Sequence, residues 1–161
     1  MTSPEPPLPL TELVTQFLDA SLPRAQWTHQ AHLRVGTWHV DRFGAAQALP
    51  RLRQAILRLN DAHGTANTPT SGYHETVTAA YVTLIAAFLA ATDAGAPLND
   101  RVEHLLAGPL ADRAVLLRFW SRDTLMSPAA RAAWVAPDLA PLALPDGWQE
   151  LGSPIPSRSA P

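Results

Sequence analysis

The chain has 161 residues, the usual size of one domain, and no long polar or proline-rich stretch interrupts its interior. A formal charge of -2 gives no electrostatic reason to expect a nucleic-acid partner. The absence of cysteine excludes disulfides, thiolate chemistry and cysteine-ligated zinc, so any metal would have to bind His, Asp, Glu or water.

The N-terminal end is proline-rich, with four prolines in the first nine residues, which predicts an extended or disordered tail. It has neither the basic start nor the apolar run of a signal peptide. No segment of the chain is apolar over the length needed to cross a bilayer. We therefore expect a cytoplasmic protein without a membrane contact.

Apolar residues then recur at helical spacing through the interior, and strand-like alternation is hard to find. The pattern predicts one short helix followed by three long ones, over residues 10–20, 26–43, 45–62 and 72–92. Gly44 and Gly64 are placed to end two of them, and Ser71 is predicted to cap the last. Pro50 fits its helix only if the early turns tolerate a bend.

Three shorter helices are predicted further along, over residues 98–106, 112–119 and 129–134. Ser127 and Pro128 predict the start of the last, because serine is a preferred cap and proline suits the first turn. The sequence as a whole predicts an all-α protein. We expect a compact bundle of about five to six helices in a single domain over residues 10–142, with irregular ends at 1–9 and 143–161.

Histidines lie on the predicted inner faces of two of the long helices. With a rotation of about 100° per residue, one helix turns a polar stripe toward water and places His32 and His39 on the opposite face, with His29 to one side. In the last long helix, His74 begins an inward stripe that Thr78 continues. Buried positions are therefore predicted for these histidines.

Short links favour antiparallel neighbours, so the first and third long helices should run parallel, with their starts at one end of the bundle. This arrangement predicts that His29 and His32 meet His74 and Glu75. His63, at the close of the middle helix, is expected to join them. His39 lies about 10 Å further along the axis and is not expected to share the site.

Several buried imidazoles in one place need partners, and a metal ion would satisfy them together. We therefore predict a divalent transition metal, zinc, iron, nickel or manganese, held by His29, His32 and His74. Glu75 would be a fourth ligand or the catalytic general base. The leading hypothesis is a metal-binding helical protein or small metal-dependent enzyme, although the zincin pattern His-Glu-x-x-His is absent.

Two other hypotheses remain open from the sequence. Two helix N-termini at the same place favour an anion over a cation, which predicts a metal-free module for a small anionic metabolite. Tyr73, Thr78, Arg122 and Arg131 are the predicted ligand-binding residues of such a module. Alternatively, the histidines form a structural polar network in an interaction protein. The sequence decides neither whether the protein is an enzyme nor its oligomeric state.

Three segments resemble an uncharacterised family of bacterial proteins. They are residues 27–33 (Trp-Thr-His-Gln-Ala-His-Leu), residues 67–76 with Gly-Tyr-His-Glu-Thr at their end, and residues 121–139, which carry the pattern S-R-x-x-L-x-S-x-x-A-R-x-x-W-V-x-P-D-L. The resemblance covers residues 17–142 and implies one domain. It implies no activity, substrate or cofactor.

Overall fold

The computed structural model describes residue 3 and residues 5–145. Seven α-helices follow one another there: α1 (Leu10–Leu18), α2 (His29–Phe43), α3 (Ala45–Ala62), α4 (Glu75–Ala91), α5 (Leu98–Leu106), α6 (Arg122–Leu125) and α7 (Pro128–Ala132). Turns of 3-10 helix lie at Arg24–Gln26, Pro109–Ala111 and Val115–Arg118. Within this part of the chain no strand forms, and no helix combines the length and hydropathy of a membrane span. The predicted all-α fold is confirmed.

The start of two helices differs from the prediction because side chains cap them. α2 begins at His29 because the hydroxyl of Thr28 accepts the N–H of Ala31 at 3.2 Å. α4 begins at Glu75, three residues later than predicted, because Nδ1 of His74 accepts the N–H of Val77 at 3.2 Å. The predicted cap at Ser71 is therefore wrong.

The segment predicted as a helix over residues 112–119 is also different. The carboxylate of Asp112 accepts the N–H of Ala114 at 2.9 Å, a local turn that competes with helix formation. Only the 3-10 turn Val115–Arg118 follows it. The bounds of α3 and α5 agree with the prediction, and Pro50 lies inside α3.

One hydrophobic core cluster joins the helices, and α2 lies at its centre in contact with α1, α3, α4 and α5. The register of α2 against α4 shows that the two helices run parallel, as predicted. His29 near the start of α2 lies 5.7 Å from Tyr81 between ring centroids, and Gly36, two turns later, faces Ile85. A Cβ at Gly36 would come within 3.0 Å of Ile85, so glycine permits this close approach.

Parts of both predicted tails pack against the domain. Leu8, Leu142 and Leu144 contact the core cluster, and the carbonyl of Leu8 accepts a hydrogen bond from Arg34 at 2.7 Å. Residues 143–145 have no regular secondary structure, and Leu144 among them packs against the core. The predictions for residues 1, 2, 4 and 146–161 lie outside the described residues.

Gly72 should tolerate no side chain. Its φ is +79°, and a Cβ would lie 2.5 Å from Oδ1 of Asn67 and 2.7 Å from the carbonyl oxygen of Ala66. Gly64 has a similar φ of +68° but nothing within 4 Å. We expect Gly64→Ala to lower the free energy of unfolding by about 1–2 kcal/mol through backbone conformation, and Gly72→Ala to lower it clearly more. Urea denaturation of both variants checks this, and equal losses would contradict it.

Candidate functional site

A cavity of about 500 Å³ lies between α2, α3, α4 and the segment from residue 113 to residue 126. Most of its wall is apolar and includes Leu52 and Ile56 from α3 and Val77 and Ile85 from α4. The polar side chains on the wall are fewer: Thr28, His29, His32, Thr78, Tyr81, Arg113 and Arg122. A mainly apolar cavity with a few converging polar groups is the usual form of a small-molecule site.

His32 lies at the wall of this cavity and stacks on Trp27, with 3.7 Å between ring centroids. Its Nδ1 lies 2.6 Å from the carbonyl oxygen of Thr28. His32 is an exposed residue, yet the protein atoms around its ring disfavour the charged form of the imidazole. This desolvation, opposed by the bond to Thr28, lowers the pKa of His32 to about 4. The imidazole is therefore neutral at physiological pH.

His29 and Tyr81 form a second pair of rings at the same cavity. Nε2 of His29 donates to the carbonyl oxygen of Leu110 at 3.0 Å, and the two rings meet edge to face. The hydroxyl of Tyr81 has no hydrogen-bond partner among the described residues, while burial and the nearby charge of Asp112 raise its pKa to about 12. Tyr81 therefore presents a neutral hydroxyl that can donate and accept.

Arg113 and Arg122 supply the positive charge of the cavity. Both side chains line it, and in the described part of the chain neither forms an ion pair or donates a side-chain hydrogen bond. Arg113 also lies close enough to His32 to help lower its pKa. Both are exposed residues whose guanidinium donors form no hydrogen bond to the described protein, and both line a mainly apolar cavity.

His74 does not join His29 and His32 on this wall. Its Nδ1 accepts the N–H of Val77, and its Nε2 donates to the carbonyl oxygen of Leu125 at 2.8 Å. Both ring nitrogens are thus used by the backbone, and the ring ties the start of α4 to the end of α6. Desolvation lowers the pKa of His74, with a further contribution from the charge of Arg131.

Glu75 lines a second, more open cleft of about 700 Å³, which does not include His74. The guanidinium of Arg53 forms two hydrogen bonds to its carboxylate, and the hydroxyl of Tyr73 donates to Oε2 at 2.6 Å. The bonds from Arg53 hold the pKa of Glu75 below its usual range. Arg131 lines this cleft too and donates to the carbonyl oxygen of Gly72 at 2.8 Å. These contacts do not fit a general base near neutral pH.

The donors predicted from the sequence therefore do not fit a metal ion. His74 has no free lone pair, and Glu75 is committed to Arg53 and Tyr73. Among residues 5–145, no group of three or more His, Asp or Glu side chains is arranged to hold one. The predicted centre of His29, His32 and His74 is not formed in this part of the chain.

Two other histidines have structural roles. His63, expected beside the cluster, instead donates from Nε2 to the carbonyl oxygen of Leu22 at 2.7 Å, while its own carbonyl accepts from Arg24. His39 is buried and donates from Nδ1 to the carbonyl oxygen of Val35 at 2.8 Å. His39 lies apart from the cavity, as expected.

Of the predicted site residues, His29, His32, Thr78 and Arg122 share the cavity, whereas Tyr73, Glu75 and Arg131 share the second cleft. Sequence reasoning missed Arg113 and Tyr81 as site residues. Tyr81 had a signal, because it continues the inward stripe of α4. No known protein family, curated protein or solved structure matches the chain.

Proposed function

We propose that this protein binds a small organic anion in the cavity of about 500 Å³, with no metal involved. The observation that carries the proposal is a pair of exposed arginines, Arg113 and Arg122, that line a mainly apolar cavity and have no carboxylate partner among the described residues. Arginine forms strong, charge-assisted hydrogen bonds with carboxylate and phosphate groups. An acidic group at these two residues would satisfy donors that the protein leaves unused.

The rest of the cavity favours a ligand with an apolar body. Its volume falls within the range of typical ligand pockets, and side chains such as Leu52, Ile56 and Ile85 would cover an aromatic or aliphatic group. Helix α2 is fifteen residues long, and its cap Thr28 and first residue His29 line the cavity. The positive end of its dipole adds to the preference for an anion.

The proposal is tested by adding benzoate, phenylacetate or hexanoate to the purified full chain, with benzamide as the neutral counterpart. A carboxylate at one hundred times its Kd stabilises the folded state by about 2.7 kcal/mol, which raises Tm by about 5–10 °C in a chain of this size. We expect at least one carboxylate to give this shift and benzamide to give little. Isothermal titration calorimetry then provides the Kd.

Arginine variants locate the binding. We expect Arg113→Gln and Arg122→Gln each to weaken carboxylate binding by about tenfold or more, because each removes a charge-assisted hydrogen bond. Arg118→Gln is the matched control, since Arg118 is an exposed arginine of the same segment that does not line the cavity. Equal losses in all three variants, equal binding of benzoate and benzamide, or no binding of any acid would contradict the proposal.

A further inference from the structure

The hydrogen bonds of His32 fix which of its nitrogens carries the proton. Nδ1 lies 2.6 Å from the carbonyl oxygen of Thr28, an oxygen that also accepts the backbone N–H of His32 at 3.0 Å. An unprotonated Nδ1 would place two acceptors in contact, so Nδ1 carries the proton and donates. In the neutral ring Nε2 is then an acceptor with a free lone pair.

This lone pair has no partner among the described residues. The ring is held from one side by Trp27 and at Nδ1 by Thr28, which leaves Nε2 on the edge away from its own helix backbone. A proton from solvent does not fill the position at neutral pH, since the pKa of His32 is about 4. His32 is exposed and lines the cavity, so it offers an acceptor that has no protein partner. A bound ligand would separate this nitrogen from water, which is costly unless the ligand supplies a donor.

His29 contributes a second ring to the same wall. Its Nε2 donates to Leu110, its Nδ1 forms no hydrogen bond among the described residues, and the hydroxyl of Tyr81 nearby can both donate and accept. The carboxylate of a ligand would be repelled by the lone pair on Nε2 of His32 and attracted by Arg113 and Arg122. A ligand that fits this cavity would therefore carry two different groups. Its acidic group would bind Arg113 and Arg122, and its hydrogen-bond donor would bind Nε2 of His32.

We infer that the ligand is a hydroxy- or amino-substituted carboxylic acid with an apolar ring or chain, whose O–H or N–H donates to Nε2 of His32. For the ligand's carboxylate the inference rests on the proposed function; it adds that a hydrogen-bond donor elsewhere on the ligand determines specificity. His32 is in this view a specificity-determining residue. A site built to hydrogen-bond a ligand group discriminates strongly against analogues that lack it, because the buried partner is left unpaired.

The test compares the three hydroxybenzoate isomers and the three aminobenzoates with the corresponding fluorobenzoates, which have a similar size but no donor. We expect the best-fitting hydroxy or amino isomer to bind about tenfold or more tightly than its fluoro counterpart. In His32→Phe, which keeps a ring against Trp27 but has no acceptor, the donor and fluoro analogues should bind equally, whereas Arg118→Gln, outside the cavity, should keep the preference. Equal Kd values for donor and fluoro analogues in the unmodified chain would overturn the inference.

A spectroscopic measurement checks the tautomer without relying on a variant that folds. Long-range ¹H–¹⁵N NMR of the unmodified protein should show a protonated Nδ1 and a bare Nε2 at His32, with the Nε2 signal moving upfield when a hydroxybenzoate binds. A protonated Nε2 would refute the inference. Binding of simple carboxylates that depends on Arg113 and Arg122 but shows no donor preference would refute it while leaving the proposed function intact. Failure of every acid to bind would refute both.

Discussion

Trp120→Ala is expected to remove about 3–5 kcal/mol of the free energy of unfolding and to lower Tm by about 6–20 °C. Among the described residues Trp120 is the largest side chain with no exposed surface, and its indole N–H donates to the carbonyl oxygen of Val135 at 3.0 Å. Alanine would leave a cavity in the core and an acceptor without its donor. Since domains of this kind are stable by about 5–15 kcal/mol, the loss is a large share of the total.

The neighbouring aromatic residue provides the control. Trp134 packs edge-on against Trp120 at 5.6 Å between ring centroids, but 46% of its surface is exposed. We expect Trp134→Ala to cost much less than Trp120→Ala, and Trp120→Phe to fall between them because it keeps a ring but loses the bond to Val135. Chemical denaturation monitored by circular dichroism gives all three values. Similar losses of unfolding free energy for Trp120→Ala and Trp134→Ala would show that Trp120 is not part of the core.

Periodicity and the usual capping residues were sufficient to predict the fold class and most helices. The spacing of apolar residues located α3 and α5, and Ser127 caps α7 as predicted by accepting the N–H of Ala130 at 3.2 Å. The start of α4 was missed because histidine is not among the preferred capping residues, although Nδ1 of His74 fills that role. A pattern of residue types does not show which nitrogen of a ring faces the backbone.

The same limit explains why only part of the site was predictable. Helical rotation and short loops placed His29, His32 and His74 at one end of two parallel helices, which is where they lie. The partners that decide their chemistry are carbonyl groups far along the chain, Leu110 for His29, 81 residues away, and Leu125 for His74, 51 residues away. Contacts of that kind follow from the tertiary fold and leave no local signal.

Arg113 illustrates a second limit. It belongs to the segment predicted as a helix that instead forms a turn at Asp112, so no helical face could assign it to the cavity. Arg122 was predicted for a different reason, its closeness in sequence to a predicted helix cap. Only the folded chain shows that both residues face the same apolar space.

Substitution of His74 should separate its structural role from the metal-binding role predicted from sequence. We expect His74→Ala to lower the free energy of unfolding by about 2–4 kcal/mol. Alanine removes the acceptor for the N–H of Val77 and leaves the carbonyl oxygen of Leu125 without a donor. His74→Asn should recover about 1 kcal/mol of this, because asparagine caps helices well but would not make the bond to Leu125. Urea denaturation at neutral pH compares the three proteins. If His74→Asn were no more stable than His74→Ala, the capping role would be contradicted.

The pH dependence gives an independent check on His74. Burial of the ring disfavours its charged form most, the bond to Leu125 opposes this, and the charge of Arg131 in α7 adds to it, while Glu75 is turned toward Arg53. A charged ring would also lose the bond that Nδ1 accepts from Val77. Its pKa is therefore lower in the folded than in the unfolded chain. The stabilising contribution is complete above about pH 6.5, the usual histidine pKa, and is lost as the pH falls below it toward the folded-state value.

His32 and His39 also have lowered pKa values and contribute to the acid sensitivity of every variant. The difference between the unmodified chain and His74→Asn, measured from pH 8 to pH 4, therefore isolates His74. We expect this difference to shrink as the pH falls, because asparagine does not titrate. A metal-ligand role would instead make the unmodified chain lose stability on addition of a chelator at neutral pH, with no such loss in His74→Asn. If His74 has only the structural role, bonding to Val77 and Leu125, the unmodified chain should give the same unfolding curve with and without the chelator.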